Sequence, residues 1–192
     1  MAWLSPHELS LMKFASIGRG VLISDKASIH NNNNISIGNN VRIDDFCVLS
    51  AGEGGIFLGD YIHLAVYTSI IGSGKIIVSD FCNISSRVSI YSSNDDYSGT
   101  AMTNPMVPSE YTRVKHAAVT LEKHVIIGSG SIILPGVRLC EGVAVGALSL
   151  INNDCSAFGV YAGIPARLIG HRKKDLLKVE KLIVNKQNKS TK

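Results

Sequence analysis

The sequence predicts an all-β chain wound as a parallel β-solenoid, with a short helix before it, one long protruding loop and a helix after it. Three observations predict this architecture. Aliphatic residues recur every six positions through most of the 192 residues, turn-forming residues stand between them, and the phase of the repeat jumps at near-regular intervals. An α-helix needs apolar recurrence near 3.6 and a single strand near 2, so a sustained period of six fits neither. Short strands joined by tight turns do fit, each aliphatic side chain pointing inward and stacking on its counterpart one coil away.

At the N-terminus, Ser5-Pro6-His7-Glu8 reads as a capping box: Ser5 as N-cap, Pro6 at the first helical position and Glu8 reaching back. A cap helix is expected over residues 1–14, ending about Phe14. The hexads then run Ile17, Ile23, Ile29; Ile37, Ile43, Leu49; Leu58, Leu64, Ile70; Val78, Ile84, Ile90; and, without a break, from Leu121 through Ile127, Ile133, Leu139 and Val145 to Ile151. Four residues after many of these stands a small or β-branched residue, including Cys47, Cys82 and Cys155, which read as buried packing groups. Successive triplets start 20, 21 and 20 residues apart, where three hexads make 18, so early coils carry extra residues such as Asn31–Asn34 and 52–55. About five coils are expected, with a loop over 93–118 leaving after the fourth. Such a patternless insertion in a solenoid is the first place to look for chemistry. The solenoid domain is assigned to 15–170. A basic helix and tail fill 171–192, helical to roughly Asn185 and frayed from Lys186 to Lys192.

Composition narrows the function classes. The chain is 45% hydrophobic and 18% charged with mean hydropathy +0.19, too apolar for disorder. No stretch approaches the roughly 18 apolar residues of a membrane span, and Met1 to Lys13 lacks secretory features, which predicts a cytoplasmic protein with no transmembrane segment. The four cysteines show no metal-type spacing with histidine, so no metal is expected. Net charge is +4, concentrated in the tail, yet no aromatic-interleaved basic surface accompanies it, so nucleic acid is not the expected partner. A phosphate-bearing cofactor fits the basic tail better.

The segments IGNNVRI, VIIGSGSIILPGVRL and VAVGALSL, followed by VYAGIPARLIG, resemble the hexapeptide-repeat acyltransferases over about residues 15 to 172. The resemblance implies a left-handed β-helix, a homotrimer, acetyl-CoA or another acyl-CoA as donor, and active sites in grooves between subunits. DFCNISSRVSIYSSNDDYSG with NPMVPSEY after it is similar to enzymes of bacterial surface-polysaccharide synthesis, among them N-acyltransferases acting on dTDP-linked 4-amino-4,6-dideoxy sugars and sugar O-acetyltransferases. Acyl transfer to the amine of a nucleotide-linked amino sugar, for O-antigen synthesis, is the leading expectation. O-acetylation of a sugar and a non-catalytic scaffold are the alternatives.

In galactoside- and maltose-type members, a T-H-P segment after an I-Y dipeptide holds the catalytic histidine. Counting from Ile90-Tyr91 reaches Asp95 instead, and the companion asparagine falls near Tyr67. A sugar hydroxyl needs a positioned base, a contribution of about 10²–10⁴-fold. An amine of pKa about 7.7–8.0 is partly neutral at cellular pH and needs only alignment and a proton acceptor. Asp95 and Asp96 are expected to supply that acceptor, with His63 the candidate base for a hydroxyl. Asn83, Ser85 and Ser86 are candidates for orienting the sugar, and Glu141 for reaching a neighbour's groove. His63 and Asn83 share a rung phase, which predicts that they stack. For the donor, the resemblance implies that Gly128, Ser129, Gly146 and Ala147 let the pantetheine arm run along the backbone. Pro165 ends the solenoid, and Arg167, Arg172 and Lys173 are candidates for pairing with the phosphates of coenzyme A.

Overall fold

The computed structural model describes residues 2–190, and the side chains of residues 186–190 are left aside. The chain is a left-handed parallel β-helix whose coils each cross three sheets in turn. The first sheet starts at Ser16–Ile17 and ends at Arg138–Leu139. The second runs from Leu22–Ile23 to a terminal hairpin, and the third from Ser28–His30 to Leu150–Ile151. Pairing is in register, so Ile23, Ile43, Leu64, Ile84, Ile127 and Val145 form one inward column. All six are at most 4% exposed, so the hexad positions make one continuous core. At the open end the expectation is corrected for two residues. Ile17 is 39% exposed and Ile29 half-buried, because no coil precedes theirs and the N-terminal segment brings only partly buried Leu4, Leu9 and Phe14 against the core.

The coil count also needs correction: there are six complete coils and the start of a seventh, not five. Six unbroken hexads from Leu121 to Ile151 make two coils. The chain then continues through Gly159–Gly163, which pairs with Ala144–Val145, turns at Ile164-Pro165, and returns antiparallel as Ala166–His171. The first helix, α1 (Pro6–Leu11), has the capping box with both reciprocal bonds but stops before Phe14, where Lys13 takes φ 52. The second, α2 (Leu176–Ser190), continues past Asn185; of the tail expected to fray, Thr191 and Lys192 lie outside the described residues. It is tied to the fifth coil by Glu180, whose carboxylate meets His124 Nε2 at 2.9 Å and Lys123 Nζ at 3.3 Å.

The Asn or Asp that follows many inward residues has a physical cause. Asn39, Asp60 and Asp80 each accept the backbone N–H of the preceding coil, from Arg19 at 2.9 Å, Asn39 at 2.6 Å and Asp60 at 2.9 Å. Buried Cys47, Cys82 and Cys155 are held as neutral thiols, burial pushing them up to about 11, 12 and 11, which removes them as nucleophiles near neutral pH.

Each coil therefore has three corners. The first, after the first sheet, carries Tyr61, Phe81 and His124; the second, after the second sheet, carries Phe46, Tyr67 and Arg87; the third, after the third sheet, takes the extra residues. The long loop leaves this third corner on the fourth coil. Its stem is an antiparallel pair, Ser93–Asn94 with Lys115–His116, and the solenoid resumes in register with Ile76 facing Val119. The long excursion thus leaves the stacking undisturbed and projects from one corner.

Candidate active site

One strip of the surface gathers most of the predicted site. Backbone bonds stack Asp44, Ala65, Ser85, Gly128 and Gly146 on successive coils where the second sheet meets the second corner: Asp44 N to Leu64 O, Ala65 N to Ile84 O, Ser85 N to Ile127 O, Gly128 N to Val145 O. Beside them, Arg42, His63 and Asn83 line the outward face of the same sheet in register.

His63 and Asn83 do stack, with Nδ1 and Oδ1 3.2 Å apart, and the other ring nitrogen, Nε2, lies 2.9 Å from Asp44 Oδ2. Asp44 is only 4% exposed and also accepts from Arg42 Nε at 2.7 Å. Burial works against its charge, but the bonds from Arg42 and His63 outweigh burial and hold the carboxyl below its usual range. Within the chain both ring nitrogens of His63 are thus engaged, one with Asn83 and one with Asp44, and these contacts brace the strip. Asp44 escaped sequence reasoning; its only signal was an acid directly after inward Ile43.

The two loop aspartates separate. Asp96 accepts from Ser98 N at 2.9 Å, Ser98 Oγ at 2.7 Å, Thr100 N at 3.2 Å and Thr100 Oγ1 at 2.9 Å. The Ser98 and Thr100 bonds hold its carboxyl well below the usual carboxylate range and order the loop around it, which favours Asp95 over Asp96 as the open acid. Asp95 is exposed, makes no hydrogen bond or ion pair among the described residues, and lines a cavity of about 190 Å³ with Asn104, Pro105, Val107, Ser109, Thr112 and Val114. Ser85 is half-buried and its hydroxyl is unbonded among the described residues; its carbonyl accepts from Thr68 Oγ1 at 3.2 Å. Ser86 sits on the next corner position, its carbonyl accepting from Gly130 N.

Other candidates fall elsewhere. Glu141 stands in the first corner, its amide donating to Glu122 Oε2 at 2.8 Å, a different corner of the coil from Ser85. At Gly128 an added Cβ would lie 2.5 Å from Ala147 N, and at Gly146 3.0 Å from Ala162 Cβ, so coil stacking sets these residue types whatever lies outside. Ser129 and Ala147 are exposed beside them. Arg172 Nη1 donates to the carbonyls of His124 and Gly142, both at 2.9 Å, locking the end of the solenoid. Pro165, Arg167 and Lys173 are exposed, and Arg167 borders a cavity of about 190 Å³ with Asn152, Asp154 and Tyr161. Among the described residues no group of His, Cys, Asp or Glu is placed to hold a metal, and no helix is long and apolar enough to cross a membrane.

The chain is 62% identical over 180 residues, 94% of each protein, to the dTDP-4-amino-4,6-dideoxy-D-glucose acyltransferase of Escherichia coli. It is 46% identical to AntD, an N-acyltransferase from Bacillus cereus solved with dTDP and 3-hydroxybutyryl-CoA, with TM-score 0.93 over 97% of this chain and 98% of that one. AntD has also been solved as variants of one serine and one aspartate ten positions apart, with coenzyme A bound. The putative lipopolysaccharide O-acetyltransferase WbbJ of Escherichia coli K12 is 28% identical over 77% of this chain and 74% of its own length. No protein-family model matches the chain. The chain belongs to the hexapeptide-repeat acyltransferases, in the family of the dTDP-4-amino-4,6-dideoxyglucose acyltransferase.

Proposed function

We propose that the chain transfers an acyl group, acetyl in the first instance, from acyl-CoA to the amine of a dTDP-linked 4-amino-4,6-dideoxy sugar, in the cytoplasm and for surface polysaccharide such as O-antigen. The observation that carries the amine is Asp95: an acid with both oxygens unbonded, on the loop position where hydroxyl-activating members of the fold hold histidine. The near full-length similarity to an acyltransferase acting on that sugar supports the acceptor, and AntD with dTDP and an acyl-CoA supports the pairing of substrates.

Asp95 binds the ammonium form, which loses one proton to solvent to free the nitrogen lone pair, and the carboxylate then receives a second proton as the neutral amine attacks. The nitrogen adds to the thioester carbonyl, the C–S bond breaks, and the proton lost from nitrogen reaches the departing thiolate by way of the carboxylate, giving an amide and free coenzyme A. Ser85 orients the sugar with its unbonded hydroxyl. Gly128, Ser129, Gly146 and Ala147 line the donor's path, with Arg167 and Lys173 available to its phosphates.

Ser85 and Asp95 stand ten positions apart, the spacing of the AntD variants. They belong to different corners of one coil, however, with Ser89–Tyr91 between them, about 10 Å of strand. This separation on the outside of one coil supports a homotrimer in which the site is shared by neighbours, Ser85 coming from one chain and Asp95 from the next. The test of function is thiol release from acetyl-CoA with dTDP-4-amino-4,6-dideoxyglucose against its 4-hydroxyl counterpart. The amine is expected to win by about 100-fold or more in kcat/KM. Turnover of hydroxyl sugars alone would assign the chain to O-acetylation.

A further inference from the structure

The second corner is a single column. Tyr67 N bonds Asp45 O, Arg87 N bonds Val66 O, Gly130 N bonds Ser86 O and Leu148 N bonds Ser129 O, all within 2.9–3.1 Å. Positions 46, 67, 87, 130 and 148 therefore stand one above another, each left-handed, with φ between 55 and 72. The character of the column changes at the level of Ser85. Toward the C-terminal coils the exposed residues beside it, Ser129 and Ala147, are small, and Leu148, 70% exposed, leans over half-buried Gly130. Toward the N-terminal coils they are large: Arg87 lies 5.3 Å over the Tyr67 ring, Tyr67 stacks on Phe46 at 4.9 Å and 17°, and Lys26 lies 5.7 Å from Phe46.

The first corner has a comparable aromatic column, but the chain covers its C-terminal part. There Phe81 stacks on His124 at 5.2 Å, His124 meets Glu180 of α2, and Lys174 lies over Phe158. Among the described residues nothing covers the second corner to that degree, where Phe46 is 45% and Tyr67 48% exposed. Arg87 is exposed and has no carboxylate partner among the described residues, so the face of Tyr67 holds its guanidinium while its donor fork stays open.

We propose that Arg87 grips the diphosphate of the nucleotide-linked acceptor. This rests on the acyl transfer proposed above. With the reacting amine at Ser85 and the donor on the small-residue side, the rest of the acceptor leaves in the opposite direction, past Arg87. One pyranose ring separates the amine from the diphosphate, and two residues, at most about 7 Å of chain, separate Ser85 from Arg87. A diphosphate is recognised best by a planar, bidentate, pre-oriented cation, which is what the stacked guanidinium offers. Arg87 is thus a specificity-determining contact that distinguishes nucleotide-linked sugars from free ones.

The experiment is calorimetric binding of dTDP and of thymidine, which lacks the diphosphate, to wild type, Arg87→Ala and Arg87→Lys. Wild type should prefer dTDP, and Arg87→Ala should shrink that preference by about 10–100-fold, with Arg87→Lys between because it offers a point charge without the fork. In turnover, the KM for the dTDP-linked sugar should rise by a similar factor while kcat stays within about 3-fold. The melting shift produced by acetyl-CoA should not change, which also establishes that the variants fold. An Arg87→Ala protein with an unaltered preference and KM, beside an active wild type, overturns this inference and leaves the acyl transfer standing. A wild type that binds no dTDP and acylates no nucleotide-linked amine overturns both.

Discussion

Replacing Asp95 with alanine should lower kcat/KM for the amino sugar by about 10²–10⁴-fold, the range of a positioned proton acceptor, while leaving the melting temperature and its rise with acetyl-CoA unchanged. The side chain is exposed and bonded to nothing among the described residues, so its removal disturbs no packing. Asp95→Asn keeps shape and hydrogen bonding but removes the charge that holds an ammonium ion and accepts its proton, so it should lose nearly as much. Asp96→Asn gives the contrast. Its four bonds to Ser98 and Thr100 order the loop, so the damage there should appear mainly in KM and in faster hydrogen exchange over the loop. An Asp95→Ala enzyme keeping more than about a tenth of its activity would remove the carboxylate from the reaction.

The largest effect on folding is expected at Ile127. It is fully buried in the inward column, between Ile84 and Val145 on the adjoining coils. Ile127→Asp places a carboxylate where every neighbour is aliphatic, a cost on the order of 5 kcal/mol or more. That approaches the roughly 5–15 kcal/mol total stability of an ordinary domain. No soluble protein should be recovered, whereas Ile127→Val, losing one methyl group, should cost about 1 kcal/mol and fold normally. Soluble Ile127→Asp protein with wild-type melting would contradict the stacked core.

The solenoid is legible in the sequence because inward positions admit only aliphatic or small residues, and the period follows directly from the coil. The number of coils was obscured where the hexads run on without extra residues, since nothing punctuates Leu121 to Ile151. The terminal hairpin was obscured because inward stacking passes there to Tyr161, breaking the aliphatic pattern. In the site, His63 and Asn83 could be paired from equal rung phase alone, since stacking follows from register. Asp44 could not, because its bond to His63 depends on how side chains lean between coils. Asp95 and Asp96 are indistinguishable in Ser93-Asn94-Asp95-Asp96, a turn-like composition. Only the loop geometry shows that one is consumed by Ser98 and Thr100 and the other left open. At the coil end the Arg172 guanidinium is taken up in a similar way, by the carbonyls of His124 and Gly142, a contact that only the turn of the terminal hairpin creates.

The proposed acyl transfer uses a site shared by two chains, Ser85 of one and Asp95 of its neighbour. The most direct measurement mixes Ser85→Ala and Asp95→Ala proteins, each impaired alone, and refolds them together in equal amounts before assay. If neighbours share each site, random assembly leaves about a quarter of the sites with both residues intact, and activity should recover toward about 25% of wild type. If one chain supplies both residues, every site in the mixture carries a defect, and activity that stays at the level of the separate variants would contradict the shared site.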